Sequence, residues 1–163
     1  MIKEIEKFKR NIGDILRMGI EVETELEFFI SNYFIKPQNA KTFFFGDVIV
    51  SELNFERKKY IFRKICEREK FDEKEIKKTI KSIEYVQQIR NKVAHWDSER
   101  LSEDTIQLRK RKTHTTVKDT LKIDEDLVKK IDKERKNAIE GIRKFYLEYR
   151  REGTIDERRK IDR

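Results

Sequence analysis

The chain has few of the residues that interrupt or crosslink a fold. It contains one proline, five glycines and one cysteine among 163 residues. Because proline and glycine are the residues that most readily break helices, their scarcity favours long helices. A single cysteine cannot form an internal disulfide. Cys66 is therefore predicted to be a structural thiol beside the apolar stripe of a helix, not a nucleophile.

Long hydrophobic runs are also missing. No apolar run approaches the roughly 20 residues that a membrane-spanning helix needs. The first ten residues, MIKEIEKFKR, alternate charged and apolar side chains and contain no signal-peptide core. We therefore expect a cytoplasmic protein without a membrane partner.

Charged residues, in contrast, are abundant. They make up 44% of the chain, whereas ordinary globular proteins contain roughly 25%. The chain also has 11 Phe and 5 Tyr, which argue against disorder. The net charge of +8 suits a polyanionic partner, but 32 acidic residues are interspersed with the basic ones. A merely solvated basic surface explains the charge equally well.

Apolar periodicity predicts an all-α fold, a bundle of four to five helices in a single domain over residues 1–152. The first helix is expected over residues 2–34, as one bent helix or two, since Gly13 and Gly19 weaken its interior. Residues 97–123 lack helical periodicity and are expected to form a loop or a short hairpin. Residues 153–163 are expected to form a basic C-terminal tail.

Two more helices are expected between residue 46 and residue 93, and a last one begins near residue 124. Asp72 and Asp124 are predicted as N-caps. The helix over residues 46–70 is expected to contain an irregularity at Asn54 and Phe55. Its inward-facing side chains are predicted to be Val48, Ile49, Leu53, Tyr60, Ile61 and Ile65. The three phenylalanines at 43–45 are predicted to plug the core.

The segment QQIRNKVAHWDSER, residues 87–100, carries an arginine on the apolar face of a helix. That face is formed by Ile76, Ile80, Ile83, Val86, Ile89 and Val93. At roughly 100° of rotation per residue, Arg90 projects near its middle. Because an unpaired buried charge is too costly to keep, Arg90 must be paired, hydrated in a cleft, or used in chemistry.

Residues 90–95 read R-N-x-x-A-H, which resembles the signature of the HEPN (higher eukaryotes and prokaryotes nucleotide-binding) superfamily. The resemblance implies a helical bundle that dimerises and brings two motifs together in one cleft. It also implies a metal-independent endoribonuclease, often a toxin or an effector of antiviral defence. The residue after the histidine is often glycine in this family, whereas this chain has Trp96.

The residue types suit RNA cleavage independently of the resemblance. The 2′-hydroxyl of RNA can attack the adjacent phosphorus, so the protein needs a proton acceptor and a proton donor near neutral pH. His95 is the candidate for proton transfer, and Arg90 can hold the phosphoryl oxygens through its fork of donors. Asn91 shares a helix face with His95 and can orient it. One histidine per chain supplies only one such group, so a homodimer makes chemical sense.

Further candidates would bind RNA without reacting with it. They are Lys92, Trp96, Arg109, Lys110, Arg111 and Lys112. The basic run would contact the phosphate backbone, and Trp96 would stack on an unpaired base. The alternatives are an ordinary solvated loop for the run and helix-end packing for Trp96. The alternative for His95 is a cation interacting with the helix dipole, which does not explain Arg90.

The other histidine, His114, has no partner at metal-ligand spacing and is expected to be an exposed polar residue. No Cys/His cluster has zinc spacing and no Gly-rich phosphate loop occurs, so neither a metal nor a cofactor is expected. Two functions stay open. The first is a dimeric endoribonuclease acting on RNA, with a possible antitoxin or regulatory partner. The second is a catalytically silent HEPN module that dimerises or binds nucleotide or RNA for a partner protein.

Overall fold

A computed structural model describes residues 2–35, 40–95, 97–100, 106–109 and 120–161. Within these ranges the chain forms an all-α bundle, as the sequence predicted, and it also contains a small antiparallel sheet. The helices are α1 (Ile2–Phe34), α2 (Ala40–Phe45), α3 (Phe55–Arg68), α4 (Glu73–His95) and α5 (Glu125–Ile161), with a π-helical turn at Gly46–Val50 between α2 and α3. The strands are β1 (Asp97–Arg100), β2 (Ile106–Arg109) and β3 (Thr120–Lys122).

Helix α1 is one continuous helix of 33 residues, which decides between the two possibilities left open by its glycines. Helices α4 and α5 pack against α1 and against each other, and α3 packs against α1 and α4. The core lies among these four long helices. Its fully buried members include Ile15, Val22, Phe62, Ile83 and Ile131, and each of the four helices contributes at least one of them.

Short polar side chains set the starts of three helices. The Asp72 carboxylate accepts a hydrogen bond from the backbone N–H of Glu75 at 2.9 Å. The Asp124 carboxylate accepts one from the backbone N–H of Leu127 at 3.0 Å. Both predicted N-caps are confirmed, because each satisfies a backbone donor of the first helical turn. Asn54 caps α3 in the same way through the N–H of Arg57.

The helix predicted over residues 46–70 is not continuous, because α3 begins only at Phe55, where the sequence had indicated an irregularity. Its predicted inner face is confirmed in part, since Ile65 is buried and Ile61 packs partly against the core. The Asn54 cap starts a new helix, so α3 has a different phase from the residues before it. Val48, Ile49 and Tyr60 are 45%, 49% and 51% exposed, instead of lying in the core. The buried stripe of α3 consists of Phe55, Lys58, Phe62, Ile65 and Cys66.

The three phenylalanines at 43–45 do not plug the core. Phe43 and Phe44 are 74% and 66% exposed, and only Phe45 packs partly against the core. Successive residues of a helix point roughly 100° apart, so three in a row cannot all face inward. Phe45 is the one that faces the body of the protein, with its ring centroid 6.3 Å from that of Phe34.

The strands between α4 and α5 form a sheet in the order β1-β2-β3, with both pairs antiparallel. This structure goes beyond the loop or hairpin that was predicted, because a third strand is present. Leu108 of β2 pairs with Leu121 of β3, and Leu108 is 2% exposed within the hydrophobic core. The sheet is therefore attached to the bundle by its central strand.

Helix α5 continues to Ile161, so residues 153–161, predicted as part of a tail, are helical. Gly141 in this helix lies against α4, where a Cβ would come within 2.2 Å of the Thr79 hydroxyl. That close approach needs a residue without a side chain. Among the helices that the structure describes, none is long and apolar enough to cross a membrane.

Candidate functional site

The inner face predicted for α4 is confirmed in full. All six of its apolar residues are at most 8% exposed. They are Ile76, Ile80, Ile83, Val86, Ile89 and Val93. With the helix start fixed by Asp72, this stripe determines the direction in which Arg90, Asn91 and His95 project from the last turns of the helix.

Arg90 lies over Gly19 of α1. A Cβ on Gly19 would be 2.6 Å from Cγ and 3.0 Å from Cβ of Arg90, closer than unbonded carbon atoms can approach. The bare backbone of Gly19 therefore provides the space in which the stem of Arg90 lies. The Arg90 side chain remains 31% exposed, so it is neither sealed in the core nor free on the surface.

Among the described residues, the Arg90 guanidinium has two polar neighbours. Its Nη1 donates a hydrogen bond of 3.1 Å to Oδ1 of Asn91. Its Nη2 lies 4.0 Å from Oε2 of Glu23, a carboxylate on α1 that is 18% exposed. The sequence required that Arg90 be paired, hydrated or used, and these contacts show that it is paired, with part of its surface still accessible.

Glu23 is also bound to a buried lysine. Lys58 of α3 is 2% exposed, and its Nζ donates hydrogen bonds to Oε1 of Glu23 at 2.8 Å and Oε1 of Glu27 at 2.6 Å. Its third contact is the carbonyl oxygen of Ser51 at 3.4 Å. Burial by itself would lower the pKa of Lys58, but the hydrogen bonds with the two carboxylates outweigh that effect and raise it. Lys58 is therefore a charged residue inside the bundle.

His95 is the last residue of α4, and its side chain is exposed. By helix geometry Asn91 lies roughly 100° and His95 roughly 140° around the helix from Arg90. Asn91 thus lies between the other two on the helix surface. Its amide oxygen accepts the hydrogen bond from Arg90, while its predicted role in orienting His95 stays a prediction.

The predicted RNA-binding residues fall mostly outside the part of the chain that the structure describes. Lys92 is half-buried in the last turn of α4. The backbone of Arg109 belongs to β2, opposite Asp97 on one side and Thr120 on the other. Trp96, Lys110, Arg111, Lys112, His114 and the side chain of Arg109 lie outside the described residues.

Among the described residues there is neither a reactive thiol nor a metal site. Cys66 is fully buried, and burial raises the pKa of its thiol. A buried thiol that resists ionisation is a packing residue, in agreement with the prediction. Among the described side chains, no group of three or more His, Cys, Asp or Glu residues is arranged to hold a metal ion.

The sequence analysis did not identify Gly19, Glu23 and Lys58 as part of the surroundings of Arg90. A signal for Lys58 was present, because Phe55, Lys58, Phe62 and Ile65 recur at helical spacing and place a lysine on an apolar stripe. Such a lysine must find buried carboxylates. Identifying Glu23 and Glu27 as its partners requires knowledge of how α1 packs on α3, which no local pattern contains.

Comparison with protein-family models, with curated proteins and with solved structures found no match to this chain.

Proposed function

We propose that this protein is a metal-independent endoribonuclease of the HEPN type. The observation that carries the proposal is the environment of Arg90. Its guanidinium is held by Asn91 and faces Glu23, yet 31% of the side chain is exposed. An arginine kept only for structure would be expected to spend its donors on buried partners. An oriented but accessible arginine suits the binding of a phosphate.

In the proposed reaction the 2′-hydroxyl of the substrate attacks the adjacent phosphorus. The bond from phosphorus to the 5′-oxygen of the next nucleotide breaks, leaving a 2′,3′-cyclic phosphate and a 5′-hydroxyl. Arg90 binds the nonbridging phosphoryl oxygens and neutralises the charge that grows on them. Proton transfer is assigned to His95, because histidine is the side chain most often used as a general acid or base near neutral pH.

The reaction needs a base for the attacking hydroxyl and an acid for the leaving oxygen. One chain supplies a single motif histidine, so we propose a symmetric homodimer with the end of α4 near the two-fold axis. The exposed position of His95 at the end of α4 leaves it accessible to a second chain. Sedimentation should detect a dimer at micromolar protein, and a stable monomer would eliminate the composite site.

The decisive experiment is incubation of the purified protein with structured and unstructured RNA in EDTA. Wild-type protein should cleave, and products should carry cyclic phosphate ends. His95→Ala should lose on the order of a hundredfold or more in rate, the usual scale for a general acid–base group. His114→Ala is the matched control, because it removes the other histidine of the chain and should preserve activity.

Substrate chemistry provides a separate check. An RNA with a single 2′-deoxy nucleotide at the cleavage position should resist, because the attacking hydroxyl is absent. Cleavage of that substrate, or full activity in His95→Ala, would refute the mechanism.

A second candidate function is a catalytically silent module that dimerises or binds nucleotide or RNA for a partner protein. The observation in its favour is the exposed aromatic surface of Phe34, Phe43 and Phe44, which are 53%, 74% and 66% exposed. Phe34 of α1 lies beside α2, since its ring centroid is 6.3 Å from that of Phe45, and a contiguous exposed apolar patch is typical of interaction surfaces. RNA binding without cleavage in the EDTA experiment would support this candidate.

The biological role follows from the resemblance alone. Ribonucleases of this superfamily often act as toxins or as effectors of antiviral defence, under the control of an antitoxin or another regulatory protein. We propose such a role here. Growth arrest on expression of the wild type, relieved in His95→Ala, would support it.

A further inference from the structure

The contacts of Lys58 extend from the interior of the bundle to the motif. Oε1 of Glu23 accepts the hydrogen bond from Lys58, while Oε2 of the same carboxylate faces the guanidinium of Arg90. One carboxylate is thus shared by a buried lysine and the motif arginine. Lys58 is 2% exposed and Glu23 18% exposed, so solvent has little access to either group.

We propose that Lys58 is a positioning residue for Arg90 and acts through Glu23. Lys58 holds the Glu23 carboxylate in one orientation, and that carboxylate holds the far side of the guanidinium while Asn91 holds the near side. The inference rests on the proposed function, since it assigns Arg90 the phosphate. The inference adds Lys58 and Glu23, which lie outside the R-N-x-x-A-H motif, to the residues on which the proposed site depends.

The physical argument concerns the freedom of Glu23. A glutamate side chain has several rotamers, and an isolated ion pair at 4.0 Å would not select one of them. A buried ammonium that bonds Glu23 and Glu27 together does select one. Without Lys58, two neighbouring carboxylates on α1 would repel each other and swing toward solvent, and Arg90 would lose its fixed partner.

The neighbouring lysine supplies a matched control. Lys59 is also largely buried at 12% exposed, and its ion pairs are with Glu56 and Glu84, not with Glu23. Lys59→Met removes the same charge from the same helix and should disturb packing to a similar degree. It should leave Arg90 unaffected.

The test measures kcat and KM for RNA, together with the NMR signal of the Arg90 Nε–Hε group. In Lys58→Met we expect kcat to fall roughly tenfold or more with little change in KM, because misplacement of a catalytic group costs rate on that scale. The Arg90 signal should shift, and its Hε proton should exchange faster with solvent. Lys59→Met should retain the wild-type kcat and the wild-type signal. Circular dichroism at the assay temperature verifies that each variant is folded.

If Lys58→Met does not fold, Glu23→Gln takes its place, because it keeps the shape of the side chain but removes the charge that Arg90 faces. A folded Lys58→Met or Glu23→Gln protein with wild-type kcat and an unshifted Arg90 signal would overturn the proposal. If the wild type itself cleaves no RNA, the proposed function fails, and the Arg90 signal alone decides whether Lys58 positions the guanidinium.

Discussion

Gly19 of α1 leaves the space that the stem of Arg90 of α4 occupies, with only 2.6 Å between Cγ of Arg90 and the position of a Cβ on Gly19. In a helix interior, glycine is unfavourable by roughly 0.5–1 kcal/mol relative to alanine. Because Gly19 has no side chain, α1 can nevertheless approach Arg90 closely. The same helix carries Gly13, where an added Cβ would have no atom within 4 Å apart from the adjoining residues and backbone of its own helix.

We expect replacement by alanine to have opposite effects on protein stability at these two glycines. Gly13→Ala should stabilise the protein by roughly 0.5–1 kcal/mol, because helix propensity rises and nothing is displaced. Gly19→Ala should be less stable than Gly13→Ala by roughly 1–3 kcal/mol, the usual cost of overpacking. The atoms displaced are close to the backbone of Arg90 and cannot move away freely. Urea unfolding of both variants measures the difference.

Activity provides a second readout of the same pair. If Arg90 binds the phosphate, Gly19→Ala should also reduce RNA cleavage by roughly tenfold or more, whereas Gly13→Ala should not change it. Equal stability and equal activity of the two variants would mean that Arg90 has room to move and that Gly19 does not hold it in place.

The second prediction concerns alkaline pH and Tyr33. Burial, and then its hydrogen bond to Glu69, raise the pKa of Tyr33 to about 12. The folded protein therefore holds this proton more tightly than the unfolded chain, in which tyrosine has a pKa of about 10. The stabilisation is fully present below about pH 10 and is lost as pH rises toward the folded-state pKa.

The free energy of unfolding should consequently fall more steeply in the wild type than in Tyr33→Phe over that interval. Urea unfolding at several pH values between about 9 and about 12 measures both slopes. Tyr60→Phe is the control, since that residue is 51% exposed. Removal of its hydroxyl should leave the slope at the wild-type value. Identical slopes for Tyr33→Phe and the wild type would contradict the prediction.

The extent to which the sequence predicted this fold depends on the region. In α4, local signals agree: a capping aspartate, a strict three-and-four spacing, and no interruption before His95. In residues 40–70 they conflict, because Val48 and Ile49 are apolar yet exposed while Lys58 is charged yet buried. Packing against α1 decides that region, and packing is not visible in a single segment.

The candidate site, too, could be predicted only in part. The position of Arg90 on the inner stripe follows from helix geometry and was predicted. Its contacts with Gly19 and Glu23 cross from α4 to α1, between residues about 70 positions apart, so spacing along the chain could not reveal them. From the cost of burying charge, the sequence predicted that Arg90 is paired, hydrated or used in chemistry. It indicated neither which of the three applies nor which residue is the partner.

The third prediction concerns the basic run at residues 109–112. If Arg109, Lys110, Arg111 and Lys112 contact phosphates, changing all four to Gln should weaken RNA binding across sequences and flatten its salt dependence. The matched control changes Lys74, Lys77, Lys78 and Lys81 to Gln, since these exposed residues of α4 carry the same total charge. Titration at several salt concentrations measures the slopes. Equal slopes for the two variants would assign the run to ordinary solvated surface.

The last prediction tests whether one active site needs two chains. Wild-type protein and His95→Ala protein are mixed in equal amounts, unfolded and refolded together so that subunits exchange. If both histidines of a dimer are needed, only dimers of two wild-type chains are fully active. Random pairing then leaves about a quarter of the activity measured for the same total amount of wild-type protein.

Independent sites would give a different number, because each wild-type chain would keep its own activity and about half would remain. Gly13→Ala mixed with the wild type in the same way is the control for losses during refolding, since that exposed position should not affect the site. Retention of half the activity would show that each chain cleaves with a single histidine. The second proton-transfer group would then have to come from the same chain or from water, and the shared site at the two-fold axis would be wrong.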